Sequence, residues 1–486
     1  MPKKPFYITT TLPYVNAEPH IGHAMEFIRA DVIARAKQLQ GYEVFFNTGT
    51  DEHGIKVYQK ARQLHLDAQK YADMTSAKFS ELLPQLGLAM DQKGIAFSFI
   101  RTTEPKHVKA AQEFWKIADK NGCIYKKNYK IKYCVGCELE KTDSELVDGR
   151  CPLHPLQDLE VIDEENYFFR FSVFQKQLLD LYEKQADFVI PHSRLNEIKA
   201  FVERGLEDFS VSRLASKMPW GISVPGDDKH IMYVWFDALV SYIAAVGWPD
   251  DKENFKKWWV ESGGVVQYCG KDNLRQQSAM WQAMLMAVKL PPSRTIVIDG
   301  FVTGEGGVKM SKSLGNTVDP LEIVKEYGTD ALRYYVTREL SPFEDSPFTV
   351  EKFKEAYNAH LANGLGNLVS RVMKMAEANI EAVELAKVAW PADFTAAIDR
   401  YDLKGAADII WSKIAALDSI VQKEEPFKKV KDAATKKHAL VVIEDLVKGL
   451  GEIAVLLEPF LPQTAAAILK CIKENKVPKE ALFMRK

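Results

Sequence analysis

FYITTTLPYVNAEPHIGHAMEFIRADVIARAKQLQGYEVFFNTGTDEHG, residues 6–54, is the stretch that decides the fold. Phe6–Thr10 alternates apolar and β-branched residues and predicts a strand. A helix is expected from about His20 to Gln40, and Gly41 suits the position just after its end. Glu43–Asn47 predicts a second strand. Strand, helix and strand within about 45 residues form a βαβ unit.

A βαβ unit implies a parallel sheet, and such sheets bind ligands at the carboxyl ends of their strands. Loops 11–20 and 48–54 are therefore expected to meet at a binding site. Further strands of this type are predicted at Val265–Tyr268 and Thr295–Ile298. Region 117–230 lies between them, contains short β-like runs and most of the cysteines, and is interpreted as an insertion.

The C-terminal part of the chain has a different pattern. Apolar residues recur at helical spacing over 355–380, 394–422, 431–457 and 463–474. Prolines 391, 426, 459 and 462 mark the breaks between these segments. The pattern predicts a helix bundle appended to an α/β domain.

Composition sets limits on function. The chain has 486 residues, too many for one compact core, and its net charge of −2 offers no global field for nucleic acid. Any RNA contact must then use local basic patches.

The N-terminus lacks the apolar run of a signal peptide, and no stretch approaches the length of a membrane span. Six cysteines fit a reducing compartment better than a disulfide framework, which favours the cytoplasm.

His20-Ile21-Gly22-His23 lies at the predicted start of the first helix. Residues three apart share one face of a helix, and the first turn favours an anion. His20 and His23 are therefore candidates for binding phosphate, although polar first-turn histidines also occur without such a role.

Lys309-Met310-Ser311-Lys312-Ser313 lies in a glycine-rich segment near the end of the α/β region. Two lysines on a mobile loop can close over a triphosphate and stabilise charge on the leaving pyrophosphate. Together with the histidine pair, Lys309 and Lys312 indicate an enzyme that cleaves ATP between its α and β phosphates. No nucleophile elbow or carboxylate pair lies near either motif. An amino-acid carboxylate, already ionised, needs no general base to attack the α-phosphate.

Cys134-x2-Cys137 is followed after 13 residues by Cys151-x2-His154, which is the spacing of a zinc knuckle. Two chelating pairs fill a tetrahedral site, so the predicted zinc is structural. The alternative is two redox or free-thiol pairs. The fold class is thus α/β: a Rossmann-type parallel-sheet catalytic domain with an inserted zinc-knuckle domain, followed by an α-helical bundle.

The histidine and lysine motifs in this order resemble the signature pair of the class I aminoacyl-tRNA synthetases. Within that class the chain is similar to the methionyl-tRNA synthetases over nearly its whole length. The similarity extends to the segments Thr50–Gly54, Tyr233–Ala238 and Gly270–Asp272. It implies the ligation of methionine to tRNA, with ATP converted to AMP and pyrophosphate.

The resemblance also implies roles for individual residues. His20, Gly22, His23, Gly270, Asp272, Lys309 and Lys312 would bind ATP, with Asp272 on the ribose and Mg²⁺ accompanying the nucleotide. Asp51 would hold the α-amino group, and Arg213 is a positively charged active-site position. The methionine side chain would be bound by Leu12, Tyr14, Trp235, Ala238, Tyr242, Gln277 and Trp281. Aromatic walls suit a polarizable thioether, although tryptophans are also common in ordinary cores.

Three positions depart from the family pattern. Asn273 and Gln277 stand where the family usually has isoleucine and histidine, and Asp299 stands where it usually has histidine. Gln277 can keep a hydrogen-bonding role but cannot titrate as histidine does. These changes leave the pocket floor and one nucleotide contact open.

In the helical region the resemblance implies that Asn367 and Arg371 read the anticodon. Phe427 stands where the family commonly has tryptophan, beside a run of lysines. An aromatic ring next to lysines can stack an unpaired base. A solvated polar stripe is the alternative interpretation.

Five regions follow from motifs and resemblance together: 1–116, the first half of the Rossmann domain; 117–230, the connective insertion with its knuckle; 231–318, the second half with the lysine loop; 319–354, a stem-contact connection; and 355–486, the anticodon-binding helices. The expected partners are ATP, L-methionine and tRNA(Met), including the initiator, and no membrane. Because the chain stops soon after the bundle, a monomer is expected.

Rival functions remain at this stage. A class I synthetase for Leu, Ile or Val would not need the aromatic pocket, and one for Cys would want its metal in the active site. A small-molecule nucleotidyltransferase sharing the histidine motif would leave the insertion and bundle without a purpose. A non-catalytic zinc-bearing RNA-binding protein would not need both ATP motifs.

Overall fold

The structure is a computed structural model that describes residues 3–137, 139–141, 143–308, 310 and 317–486. It divides into two compact units. Unit 1 comprises residues 1–18, 43–81 and 96–298, and unit 2 comprises residues 19–42, 82–95 and 299–486. None of the helices in these described ranges is both long enough and apolar enough to cross a bilayer.

Unit 1 contains most of the strands. They are β1 Pro5–Thr10, β2 Glu43–Thr50, β3 Ile95–Arg101, β4 Ile124–Cys134, β5 Leu139–Lys141, β6 Glu160–Phe169, β7 Val189–Ile190, β8 Phe209–Ser210, β9 Ser212–Leu214, β10 Ser223–Val224, β11 Asp227–Met232, β12 Val265–Gly270 and β13 Thr295–Asp299.

The main sheet has six strands in the order β3-β2-β1-β12-β13-β7. β1 lies between β2 and β12 and runs parallel to both, with Ile8 opposite Phe46 on one side and Val266 on the other. These strands are buried along almost their whole length. A sheet covered on both faces explains why their sequences are nearly continuous apolar runs. The parallel sheet predicted from residues 6–54 is confirmed.

Two smaller sheets lie in the predicted insertion. One has the order β5-β4-β6-β8, and β4 pairs antiparallel with β6 from Ile124 opposite Phe169 to Tyr133 opposite Glu160. The other has the order β10-β11-β9. The long β4–β6 ribbon carries the first cysteine pair at its far end, beyond the part that packs on the apolar core.

The helices of unit 1 surround these sheets. With α1 reserved for the first helix of unit 2, Ile21–Leu39, they are α2 Ile55–Gln63, α3 Ala68–Gln85, α4 Pro105–Lys120, α5 Gln175–Lys184, α6 His192–Glu203, α7 Val234–Ala238, α8 Ser241–Ala244, α9 Lys252–Phe255 and α10 Trp281–Ala287. A π-helical turn, Gln276–Met280, precedes α10. Such turns often occur at functional sites.

Unit 2 is mainly helical. Besides α1 it contains α11 Pro320–Tyr327, α12 Thr329–Tyr334, α13 Val350–Ala356, α14 Asn367–Asn379, α15 Ala392–Asp399, α16 Leu403–Glu424, α17 Pro426–Lys429, α18 Lys436–Leu457 and α19 Pro462–Glu474. Two short parallel strands, β14 Val302–Thr303 and β15 Ser346–Pro347, pair with each other.

The helix bounds follow local capping chemistry. α1 begins after His20, and Gly41 follows its end with φ +95°, a conformation that suits glycine. The segment predicted as one helix over 394–422 is two, because the chain turns at Tyr401, with φ +61°. Asp402 then caps α16 by accepting a hydrogen bond from the Gly405 N–H. A π-helical turn, Tyr357–Gly366, joins α13 to α14.

Candidate functional site

The loops that follow β1 and β2 are joined by backbone hydrogen bonds. The Asp51 N–H donates to the Pro13 carbonyl at 2.9 Å, and the Val15 N–H donates to the Asp51 carbonyl at 3.0 Å. Tyr14 and Asp51 therefore lie opposite each other in a parallel bridge. Both loops leave the carboxyl ends of neighbouring central strands, which is the expected ligand position in such a sheet.

Four of the residues predicted to surround the methionine side chain belong to or pack against one buried apolar cluster of unit 1, whereas Tyr14 packs against a smaller cluster that contains Val15 and Val57. Leu12, Tyr242 and Trp281 belong to the same buried apolar cluster, and the half-buried Trp235 packs against it. The Tyr242 and Trp281 rings are 6.0 Å apart, edge to face. The indole N–H groups of Trp235 and Trp281 have no hydrogen-bond partner among the described residues. Ala238 ends the short helix that begins one residue before Trp235.

Gln277 is locked into this region by hydrogen bonds. Its side-chain amide donates to the Tyr242 hydroxyl at 2.7 Å, and its carbonyl oxygen accepts from the Gln267 amide. The Ser293 hydroxyl in turn donates to the Gln267 carbonyl oxygen at 2.6 Å. All four side chains are buried, so each bond has little competition from water. Gln277 thus keeps a hydrogen-bonding role where the family usually has histidine.

The segment Thr50–Gly54 is fixed by its charged residues. Arg101 donates to both carboxylate oxygens of the buried Glu52, at 2.7 and 2.9 Å. His53 Nδ1 lies 2.6 Å from Asp237 Oδ2, and His107 Nε2 lies 2.6 Å from Asp237 Oδ1. Burial raises the pKa of the Asp237 carboxyl, but the two imidazoles outweigh it and hold that pKa at about 2.

Sequence reasoning did not single out Asp237, His107, Glu52 or Arg101. Three of the residues just described, Glu52, His53 and Asp237, lie inside two of the segments that carry the family resemblance. A carboxylate within such a segment was a signal that it has a partner. The identity of that partner was not visible, because the pairs are distant in sequence.

Arg213 is buried and its guanidinium has defined neighbours. It donates to the Ser210 hydroxyl at 2.8 Å and to the Ser212 carbonyl at 2.7 Å. The guanidinium carbon lies over the rings of Tyr133 and Tyr233, 5.1 and 4.7 Å from their centroids. Tyr233 directly precedes α7, so this positive charge adjoins the segment of Trp235.

Gly270 and Asp272 lie at the carboxyl end of β12. Gly270 ends the strand and Asp272 lies in the 3-10 turn that follows, where its carboxylate is exposed. The Asn273 side-chain amide donates to Asp272 Oδ1 at 3.1 Å. Asn273 therefore orients the carboxylate predicted to contact the ribose.

The histidine motif opens α1 in unit 2. The Gly22 N–H donates to His20 Nδ1 at 3.1 Å, and the His20 N–H donates to His23 Nδ1 at 3.2 Å. These reciprocal bonds form a capping box, and the two rings lie 3.8 Å apart. An imidazole whose Nδ1 accepts an N–H carries its proton on Nε2. A Cβ on residue 22 would lie 3.0 Å from the His20 ring, so a larger residue there would push the ring out of this arrangement by a few tenths of an ångström.

The protonation of His23 follows from its surroundings. Burial, reinforced by the neighbouring His20, lowers the pKa of His23 well below its ordinary value. At neutral pH this ring is therefore uncharged, with one N–H donor on Nε2. A neutral N–H donor at a helix N-terminus can hydrogen-bond a phosphate oxygen while negative charge develops on that oxygen during the reaction.

Lys309 and Lys312 lie outside the described residues. Their flanking segments are described. Gly306 and Gly307 have φ +68° and +78°, and beyond the motif the Val318 carbonyl accepts from the Ile21 N–H at 3.1 Å. A backbone hydrogen bond thus joins the first turn of the histidine helix to the segment that follows the lysine motif.

Asp299 has a structural partner. Its carboxylate pairs with the fully buried Arg29 of α1. Arg29 also donates to the carbonyls of Val336 at 2.8 Å and Leu340 at 3.0 Å. The residue that departs from the family's histidine is therefore engaged in a buried ion pair.

Cys134, Cys137, Cys151 and His154 come together as the spacing predicted. Their ligand atoms all lie within 4.8 Å of one another, with His154 Nδ1 at 3.2 Å from the Cys137 sulfur. A Cβ on Gly136 would lie 2.4 Å from the His154 ring, so the turn needs glycine there. Burial raises the pKa of Cys137 to about 12, which means that a thiolate there needs a cation. Three sulfurs and one imidazole nitrogen fit Zn²⁺.

In the bundle of unit 2, Asn367 is exposed at the start of α14 and Arg371 lies one turn further. Arg371 donates to Asp418 Oδ1 of α16 at 2.8 Å. Phe427 exposes 40% of its surface, and the Lys428 ammonium lies 5.8 Å from its ring centroid. The predicted RNA-reading side chains are thus partly exposed.

Comparison with known proteins gives one consistent result. The family model described as tRNA synthetases class I (M) matches residues 6–159 and 156–373. The methionine–tRNA ligase of Thermosynechococcus vestitus is 46% identical over 376 residues, covering 76% of this chain and 69% of the relative. That of Brucella suis is 38% identical and covers 96% and 92%. A structure of Mycobacterium tuberculosis methionyl-tRNA synthetase in complex with methionyl-adenylate has a TM-score of 0.87 and 32% identity, over 99% of this chain and 98% of that chain.

Proposed function

The chain belongs to the class I methionyl-tRNA synthetases, and from that premise we propose how its residues divide the work of activating methionine and transferring it to tRNA(Met). The methionine carboxylate attacks the α-phosphate of ATP, giving methionyl-adenylate and pyrophosphate. The adenylate then acylates a hydroxyl at the 3′ end of the tRNA and releases AMP. Because the nucleophile is already an anion, the residues supply position and charge stabilisation rather than a base.

Methionine binds in unit 1. Asp51, at the junction of the two loops, pairs with the α-amino group. Leu12, Tyr14, Trp235, Ala238, Tyr242 and Trp281 surround the side chain. The observation that carries this proposal is the buried network of Gln277, Gln267 and Tyr242, because it holds the Tyr242 hydroxyl in one place. Fixed aromatic walls suit a polarizable thioether better than a branched aliphatic side chain.

ATP is held by groups of both motifs. His20 and His23 donate to phosphate oxygens through Nε2 at the N-terminus of α1, where the helix dipole favours an anion. Asp272 hydrogen-bonds the ribose, Gly270 allows close approach of the backbone, and Arg213 contributes positive charge to the active site. Mg²⁺, when bound with ATP, neutralises charge on the pyrophosphate. Lys309 and Lys312 stabilise the same charge as it develops.

The role of Lys312 is tested by Lys312→Ala. Loss of one preorganised charge-stabilising donor costs about 3 kcal/mol, roughly a hundredfold in the rate of adenylate formation. Methionine binding should be nearly unchanged. An exchange rate within about twofold of the parent enzyme would rule out this role.

The knuckle would hold one Zn²⁺ on Cys134, Cys137, Cys151 and His154, and because four protein groups are available as ligands its role would be structural. A cytoplasmic location accords with the six cysteines, none of which forms a disulfide. Metal content measured on protein purified without chelator should be close to one zinc per chain. A value far below one, in protein that still charges tRNA, would contradict this assignment.

Substrate identity is tested by ATP–pyrophosphate exchange with each of the twenty amino acids. Methionine should give the fastest exchange, and close analogues such as homocysteine should be activated measurably, because a methylene-scale difference is worth only about 1–3 kcal/mol. Faster exchange with leucine, isoleucine or cysteine than with methionine would overturn the assignment.

A further inference from the structure

Asp237 is a buried aspartate that joins three segments of unit 1. Its side chain has no exposed surface, and each carboxylate oxygen lies 2.6 Å from one imidazole nitrogen, of His53 on one side and of His107 on the other. His107 is also fully buried, and its Nδ1 finds no partner in the described part of the chain. The proton of His107 therefore lies on Nε2 and is donated to Asp237.

The three segments carry different parts of the amino-acid pocket. His53 follows Asp51 by two residues, so it anchors the loop assigned to the α-amino group. Asp237 lies between Trp235 and Ala238 in α7, which is assigned to the thioether. His107 lies in α4, whose Phe114 stacks on Trp281 with ring centroids 5.9 Å apart.

We propose that Asp237 is a positioning residue for amino-acid specificity, because it fixes the separation between the amine-binding loop and the aromatic wall. This inference rests on the proposed methionine activation. Two short bonds to one carboxylate leave α7 little freedom to move relative to the loop of residues 51–54. The distance between the amine-binding loop and the aromatic wall is therefore held constant, as discrimination between side chains of different length requires.

Geometry distinguishes this role from direct contact with substrate. Both oxygens of Asp237 are occupied by the two imidazoles, and the side chain is wholly buried, so Asp237 acts through the residues that it holds. A displacement of about 1 Å at a substrate-positioning group costs on the order of 100-fold in rate. A purely structural aspartate would change stability without changing the choice of amino acid.

The experiment compares Asp237→Ala and Asp237→Asn with the parent enzyme in methionine-dependent ATP–pyrophosphate exchange. Asp237→Ala should raise KM for methionine on the order of 100-fold, with KM for ATP within about twofold of the parent value. Preference for methionine over ethionine, which is one methylene longer, and over homocysteine, which lacks the methyl group, should fall roughly tenfold. Asp237→Asn keeps one carbonyl acceptor and the shape of the side chain, so its effects should have the same direction and be smaller.

Asp330→Asn is the matched control. Asp330 is a buried aspartate of unit 2 whose carboxylate accepts from the backbone N–H and the hydroxyl of Thr464, both at 2.7 Å. This variant should lower the melting temperature and leave KM for methionine and analogue preference at parent values. Should Asp237→Asn behave like Asp330→Asn in both measurements, Asp237 is only a structural residue and the inference is wrong. An inactive parent enzyme would instead overturn the proposed function itself.

Discussion

The proposed amino-acid pocket of unit 1 and the proposed RNA face of unit 2 are built in opposite ways. The RNA face is our name for the predicted anticodon-reading residues Asn367, Arg371 and Phe427 together with the neighbouring Lys428 and Lys429. In the pocket Trp281, Gln277 and Tyr242 are buried, and the two polar groups bond to each other. On the RNA face Phe427 is 40% exposed. Its cations pair with acidic neighbours in solvent, as Arg371 does with Asp418 and Lys429 with Glu424.

The pocket and the RNA face should therefore differ in how much their side chains rearrange when a ligand binds. A buried network is already in its final geometry, so methionine meets a preorganised site. Exposed ion pairs are worth about 1 kcal/mol or less and can be exchanged for a phosphate or a base at little cost. Substitutions in the pocket should therefore lower both the free energy of unfolding and the affinity for methionine. Substitutions on the RNA face should reduce tRNA charging and leave methionine activation and stability nearly unchanged.

The largest effect is expected for Trp281→Ala. Removing a fully buried indole leaves a cavity and should lower the free energy of unfolding by about 3–5 kcal/mol. Methionine-dependent exchange should be lost with it. Chemical denaturation measures the first effect and exchange the second. Phe427→Ala, an aromatic of similar class on the RNA face, is the control and should change stability by less than about 0.5 kcal/mol.

Gln277→Leu should have the next largest effect. It keeps the volume of the side chain but leaves the Tyr242 hydroxyl and the Gln267 amide without their partner, at about 1–3 kcal/mol. KM for methionine should rise and KM for ATP should not. Gln277→His restores a donor toward Tyr242 and should recover part of the loss. Equal kinetics for the Leu and His variants would contradict the hydrogen-bonding role.

Arg371→Ala should leave exchange unchanged and reduce tRNA charging. A hydrogen bond from a charged group is worth about 1.5–3 kcal/mol, so kcat/KM for tRNA should fall at least tenfold. Stability should change by less than about 1 kcal/mol, because the Arg371–Asp418 pair is partly exposed. Asp418→Ala releases Arg371 from its partner and should lower KM for tRNA. If Arg371→Ala charged tRNA normally, the anticodon role would be excluded.

Phe427→Ala should have the smallest effect. Stacking of one base is worth about 1–3 kcal/mol, and a phenyl ring presents less area than the usual indole, so about 1 kcal/mol of tRNA affinity is expected. Phe427→Trp should strengthen binding by a similar amount. Loss of methionine-dependent exchange in Phe427→Ala would contradict the claim that residues of the RNA face act on tRNA binding and not on methionine activation.

Local pattern alone was enough to predict several features. The parallel strands, the first helix and the cysteine–histidine cluster each depend on residues close in sequence or on fixed ligand spacing. The split of the predicted helix 394–422 was missed because a single residue, Tyr401, turns the chain without interrupting the apolar period. The motifs also determined the family, since their residue types are set by the chemistry of ATP and methionine.

The tertiary structure decided which partners these residues have. Asp237 meets His53 and His107, at separations of 184 and 130 positions along the chain, and Arg29 meets Asp299 across 270 positions. The partner of Gln277 is likewise a residue of another helix. The periodicity of apolar residues shows only which face of a single helix or strand is buried. These bonds depend instead on how separate helices and strands pack against one another. The sequence therefore determined the chemistry and the elements that carry it, and packing determined how rigidly each group is held.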